Sequence, residues 1–105
     1  EPMKKVVYSI SKLNKFGSNK MTGVGFITES DLVIACVSQK GNPYIRIFED
    51  CVKDCHRVTG KEDEFKGAHY EIREIEVETK NSSGESTGYE KKEIEIGYSI
   101  WYKLV

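Results

Sequence analysis

The side chains best placed to do chemistry are lysines, and they gather near the start of the chain. Lys12, Lys15 and Lys20 flank or lie in a polar connection, Asn14 to Lys20, that also holds Phe16 and Asn19. Lysines attract phosphate as point charges, and a phenylalanine offers a face on which a base stacks. Further along, Lys40-Gly41-Asn42 stands directly ahead of Pro43. Asn followed by Pro is a strong helix start, with Asn as the cap and Pro at the first helical position. Free backbone N–H groups at that helix N-terminus would favour an anion beside Lys40. If the two segments meet, Lys12, Lys15, Phe16, Asn19, Lys20, Lys40 and Asn42 form a pocket for an anionic ligand, a nucleotide or nucleic acid.

The other chemistry-bearing residues argue against catalysis. Cys51, Cys55 and His56 form a Cys-x3-Cys-His run. A closed zinc site wants four ligands, and Cys36 with His69 would have to supply the rest. Cys51 and Cys55 fall on the apolar stripe of the expected helix, with His56 about a quarter-turn away. Small buried helix residues explain them better, so neither a metal nor another cofactor is expected. No cysteine has an evident activating charge beside it, which removes a thiol nucleophile. Gly23 and Gly25 sit in a strand pair and not ahead of a helix, so they are no phosphate loop. Met21 to Ile27, followed by Leu32 to Cys36, resembles the opening hairpin of a trypsin-like barrel over about 16 residues. No histidine follows at the expected place and no Gly-x-Ser-Gly segment exists. The resemblance therefore implies no activity.

Charge is segregated although the total, −1, is nearly neutral. Residues 1–27 carry +4 and residues 61–96 carry −5. A neutral chain can thus present one basic and one acidic region. In the acidic part, Ile75 and Val77 should share a sheet face with Ile94 and Ile96, leaving Glu76, Glu78, Glu93 and Glu95 together on the opposite face. Directly opposed like charges weaken a strand pair by up to roughly 1 kcal/mol. Such a strip either blocks edge aggregation or docks a basic protein surface. Trp101 should point away from the core beside Gly97 and Ser99, free to be buried against a partner or a second copy.

The elements that must position these residues follow from hydrophobic period. Val6 to Leu13, Gly23 to Thr28 and Leu32 to Val37 read as strands, the last two joined at Glu29-Ser30-Asp31. Leu32 to Val37 is apolar on both faces, as in a strand covered at the back. Tyr44, Phe48, Cys51, Val52 and Cys55 recur at helical spacing, predicting a covering helix near 43–59 that ends at Gly60. Lys61 to Gly67 reads as a charged loop. Tyr70 and Ile72 lie on one parity and Ile75 and Val77 on the other, which predicts a β-bulge between them. Ile94 to Leu104 alternates cleanly, and Lys80 to Gly88 is made of turn formers. The expected fold is α+β: a mainly antiparallel sheet of about five strands (β-β-β-α-β-β) with one covering helix.

Composition sets the outer bounds. The 105 residues suit one domain spanning the chain, with Glu1-Pro2 read as a remnant ahead of Met3. No apolar run approaches the roughly 18 residues of a membrane helix. Three cysteines do not pair evenly, which favours a reducing, cytoplasmic setting. The leading expectation is a small non-catalytic binding module for an anionic ligand. Size and composition would suit an accessory or inhibitor protein of a bacterial virus or mobile element. The alternatives are an inhibitor that docks a basic protein surface through the acidic hairpin, and a self-associating structural protein using the Trp101 face.

Overall fold

In the computed structural model, which describes residues 2–13 and 20–105, strands account for nearly all regular structure. The first three follow the alternation in the sequence: β1 (Lys4–Lys12), β2 (Lys20–Ile27) and β3 (Leu32–Val37). Val6, Tyr8 and Ile10 of β1 all point to the core. The β2–β3 turn is closed by Thr28, whose N–H donates to the Asp31 carbonyl at 2.9 Å. Its hydroxyl accepts the N–H groups of Ser30 and Asp31 at 3.3 and 2.9 Å.

The covering helix near 43–59 does not exist. Pro43–Phe48 is a strand, β4, paired antiparallel with β3; only Cys51–Asp54 is helical, as the single turn α1; and Cys55–Arg57 is a short strand, β5. The reason lies in the residues between the helical-period positions. Tyr44-Ile45-Arg46-Ile47-Phe48 is β-branched and aromatic, and it pairs with Leu32 to Cys36 across a tight turn. That turn is Ser38 to Asn42, with Gly41 at φ 85° and the Ser38 N–H donating to the Asn42 carbonyl. Pro43 is tolerated because it opens an edge strand. Asp50, in the left-handed region at φ 57°, ends β4 and starts α1. With no helix above it, the outer face of β3 is left open: Ala35 and Val37 are exposed.

The predicted loop is also shorter than expected, because Glu64 to Gly67 already belongs to β6 (Glu64–Lys80), which pairs with β7 (Ser86–Leu104). Gly60, expected to end a helix, instead sits in the β5–β6 turn at φ 79°. The result is one seven-stranded antiparallel sheet in the order β4-β3-β2-β1-β7-β6-β5, in place of five strands and a helix.

That sheet must be rolled. Its outermost strands, β4 and β5, are joined by residues 49–54 alone, four of them in α1. Six inter-strand spacings of a flat sheet amount to about 29 Å, whereas two extended and four helical residues reach only about 13 Å. Rolling brings Phe48 of β4 against Tyr98 of β7, ring centroids 5.4 Å apart and edge to face. Two glycines permit the close approaches inside. A Cβ on Gly25 would lie 2.8 Å from the Val33 carbonyl oxygen, and one on Gly67 would overlap the Asp54 carbonyl at the end of α1. The core therefore sits on the inner face, around Ile10, Leu32, Ile34, Phe48, Ile100 and Tyr102, all at most 1% exposed.

Beyond the level of Tyr70 and Gly97, β6 and β7 continue as a two-stranded arm with no strand beside them among the described residues. A nineteen-residue strand at about 3.3 Å per residue accounts for the whole of the molecule's longest dimension, 58 Å. No bulge interrupts the arm between Ile72 and Ile75; the register shift falls at Thr79/Lys80. Tyr70 and Ile72 simply point outward, to the face opposite Ile75 and Val77. The tip closes on Asn81, whose side-chain oxygen accepts the N–H groups of Ser83 and Glu85 at 3.0 Å. Among the described residues no helix is long and apolar enough to cross a membrane.

Candidate ligand-binding site

Strand register places a row of small polar residues on the outer face, where β2, β1, β7 and β6 run side by side. Ser11 pairs with Lys20 on one side and Ser99 on the other; Ser9 pairs with Trp101; Ser99 pairs with Ala68; and Trp101 pairs with Lys66. Residues paired across an antiparallel sheet share a face. The floor is thus Ser9, Ser11, Ser99 and Ala68, and the tall residues around it are Lys20, Lys66 and Trp101. They enclose an open trough of about 450 Å³. The small floor follows from the core alternation itself: Ser9 and Ser11 interleave with Tyr8 and Ile10, and Ser99 with Tyr98 and Ile100.

Trp101 is tied to its neighbours. Its Nε1–H donates a long hydrogen bond, 3.4 Å, to Glu64, and Lys61 lies 3.4 Å from the other oxygen of that carboxylate. Glu64 is thereby engaged twice and its side chain is only 14% exposed. Among the described residues, Lys20 and Lys66 form no ion pair, so their charges are free for a ligand. The trough can offer two ammonium groups, three hydroxyls and an indole. Hydroxyls both donate and accept, and an indole stacks on any base.

The sequence-predicted residues divide among several places. Lys20 and Trp101, assigned to different partners, come together in one trough. Lys12 pairs with Tyr98 and shares the parity of Tyr8 and Ile10, so it faces the rim of the inner side, away from Lys20. Lys15, Phe16 and Asn19 lie outside the described residues. Lys40 and Asn42 belong to the exposed β3–β4 turn, where the Asn42 N–H donates to the Ser38 hydroxyl at 3.1 Å. They head no helix, and the anion-binding N-terminus expected beside them is absent. Antiparallel pairing does bring that turn to the same end of the barrel as Lys20. The sequence does not point to Lys66, Ser9 or Ser11, and it names Ser99 only as a neighbour of Trp101: Lys66 falls in the expected charged loop, and the serines show only as the polar parity of strands.

The acidic residues form a single outer row along the arm, as expected: Glu76, Glu78, Glu93 and Glu95 are all exposed. Their direct partners differ from expectation. Glu76 faces Lys91, Glu78 faces Tyr89 and Glu95 faces Ile72, while the opposed acidic pair is Glu74 with Glu93. Lys91 relieves it, 3.6 Å from Glu74.

The cysteines and histidines lie elsewhere. Cys51 is fully buried. Its side-chain interaction with Cys55, then burial, pushes the Cys51 thiol up, and the same interaction brings Cys55 down. His56 is exposed on β5. His69 is buried, with Nδ1 2.8 Å from Asp54 and Nε2 3.5 Å from Glu71. Among the described residues no three His, Cys, Asp or Glu side chains converge as a metal site would need.

No family model matches the chain, and no curated protein or solved structure is significantly similar to it. The functional reading therefore rests on the geometry alone.

Proposed function

We propose that this protein is a non-catalytic binding module that captures a base-bearing phosphate ligand, a nucleotide or a stretch of single-stranded nucleic acid, in the trough on its outer face. The observation that supports the reading is the union of one indole, two lysines without acidic partners and a floor of small hydroxyl residues in about 450 Å³. The indole serves as a stacking platform, and Lys20 and Lys66 meet phosphates on either side of it. The reading departs from the pocket expected from sequence, which relied on a helix N-terminus. Lys40, at the same end of the barrel, extends the positive path for a longer strand.

Binding of this kind is salt-dependent, because each phosphate contact releases counterions. Titration with mononucleotides and with a single-stranded oligonucleotide, at rising salt, is the direct test. The reading expects affinity to fall with salt and to be lost in the double variant Lys20→Glu, Lys66→Glu. Preference for the oligonucleotide would assign nucleic acid, and equal affinity a nucleotide. No binding to any of these ligands would overturn the reading. Docking of a basic protein surface on the acidic arm is separated by the same assay, since Glu76→Lys with Glu95→Lys must leave ligand capture in the trough intact.

A further inference from the structure

Among the described residues, backbone hydrogen bonds do not close the barrel: β4 pairs with β3 alone, and β5 covers β6 only as far as Cys55 opposite Gly67. From Ala68 onward β6 therefore has a free edge, and β4 has another along its whole length. Side chains alone cross the inner side of the seam: the Phe48 and His69 rings, centroids 6.1 Å apart, and Arg46, which donates to Glu71 at 2.8 Å. The Nε of Arg46 is buried there without a partner.

Outside that bridge lies a groove of about 600 Å³. Its apolar lining is Ile47 of β4 and Tyr70 and Ile72 of β6, each more than half exposed. Glu71 is answered by Arg46 and, at 3.6 Å, by Arg73. Glu49, Asp50 and Asp54 form its acidic rim, Asp50 with exposed Lys53 at 3.6 Å and Asp54 with the buried His69 Nδ1 at 2.8 Å. Unpaired edges are ordinarily blunted by lysine, bulges or a cover, because they template pairing with another chain. β4 carries Pro43 at its start and the inward-turned Arg46, but no lysine, bulge or cover, and it sets Ile45 and Ile47 outward beside the edge.

We infer that this seam receives an extended segment of a protein partner, added as a strand to the free edge of β4, whose side chains alternate basic and aliphatic. Main-chain hydrogen bonds to β4 would supply affinity, as in other strand additions. Aliphatic side chains would lie against Ile47, Tyr70 and Ile72, and basic ones would meet Glu49, Asp50 and Asp54. A second copy of this chain is the poorer occupant on charge, since its own seam would bring acid to acid. The inference is independent of the trough, whose lining of Ser9, Ser11, Lys20, Lys66, Ser99 and Trp101 shares no residue with this groove.

The test is a titration of the full chain with a short synthetic peptide alternating lysine and valine, followed by backbone amide NMR. The expected result is saturable binding that moves the amides of Tyr44–Phe48 and Ala68–Arg73. It should be lost when alternate peptide nitrogens are methylated, and also in the Ile47→Asp variant. The methylated peptide keeps the test sound even if that variant fails to fold. Undiminished binding of the methylated peptide, shifts confined to Glu74–Glu95 of the arm, a doubling of mass without peptide, or no binding would each overturn the inference.

Discussion

The same two strands, β6 and β7, run through two regions of opposite character. Within the barrel they have neighbours, and their inner faces carry Phe65, Tyr98, Ile100 and Tyr102. Their outer faces there carry Lys66, Trp101 and Lys103, with Glu64 answered by Lys61 and Trp101. Past Tyr70 and Gly97 the neighbours end, and the outer faces change to Glu74, Glu76, Glu78, Glu93 and Glu95. A two-stranded ribbon gains little from packing and stands open to edge pairing, so like charge keeps it from aggregating. In the barrel, stability comes from the interior, which frees the outer surface to hold a ligand. Charge thus changes sign where structural support ends.

The largest expected difference between the regions is in stability. Phe48→Ala, at the point where β4 meets β7, should cost about 3–5 kcal/mol in urea unfolding. Ile72→Ala, on the root of the arm, should stay within about 0.5 kcal/mol. Comparable losses at both would show that the arm is part of the cooperative core. For ligand capture, Trp101→Ala should lose about 1–3 kcal/mol of affinity for a stacked base.

Alkaline pH should also act on the barrel alone. Burial pushes the Tyr102 hydroxyl up to about 12, and Tyr8 and Tyr98 move in the same direction chiefly for the same reason. A folded-state pKa raised above the unfolded one near 10 leaves stability intact below pH 10. That stability is lost as pH rises from 10 through about 12. Tyr102→Phe should shift the alkaline unfolding midpoint upward, whereas Tyr89→Phe, exposed on the arm, should not. The smallest effect concerns the opposed Glu74 and Glu93: Glu93→Lys should stabilise the arm by a few tenths to about 1 kcal/mol, read by amide exchange at its ladder.

How far the sequence could be read follows the same division. Strand alternation was legible from Val6 to Ile10 and from Ile94 to Leu104, where an unbroken run of alternating residues has one buried face. The acidic row was legible too, because period two needs no tertiary knowledge. The segment from Pro43 to Cys55 misled, because residues at helical spacing there belong to a strand, a left-handed turn and one helical turn, all contributing to the same interior. Tyr44, Phe48 and Cys51 share a helical stripe only if the chain is helical, and the β-branched residues between them favour pairing with β3. The trough was invisible for a different reason. Its members come from four strands, and only the order β2-β1-β7-β6 makes Lys20, Trp101 and Lys66 neighbours.

The central claim is that the outer trough holds the ligand, and Trp101 is the sole tryptophan of the chain. Its intrinsic fluorescence therefore reports on that trough alone. Titration with a single-stranded oligonucleotide at low salt should quench it saturably. The quenching should weaken as salt rises, vanish in Lys20→Glu with Lys66→Glu, and persist in Glu76→Lys with Glu95→Lys. Fluorescence that does not respond, or a response the two lysine substitutions leave unchanged, would contradict the account.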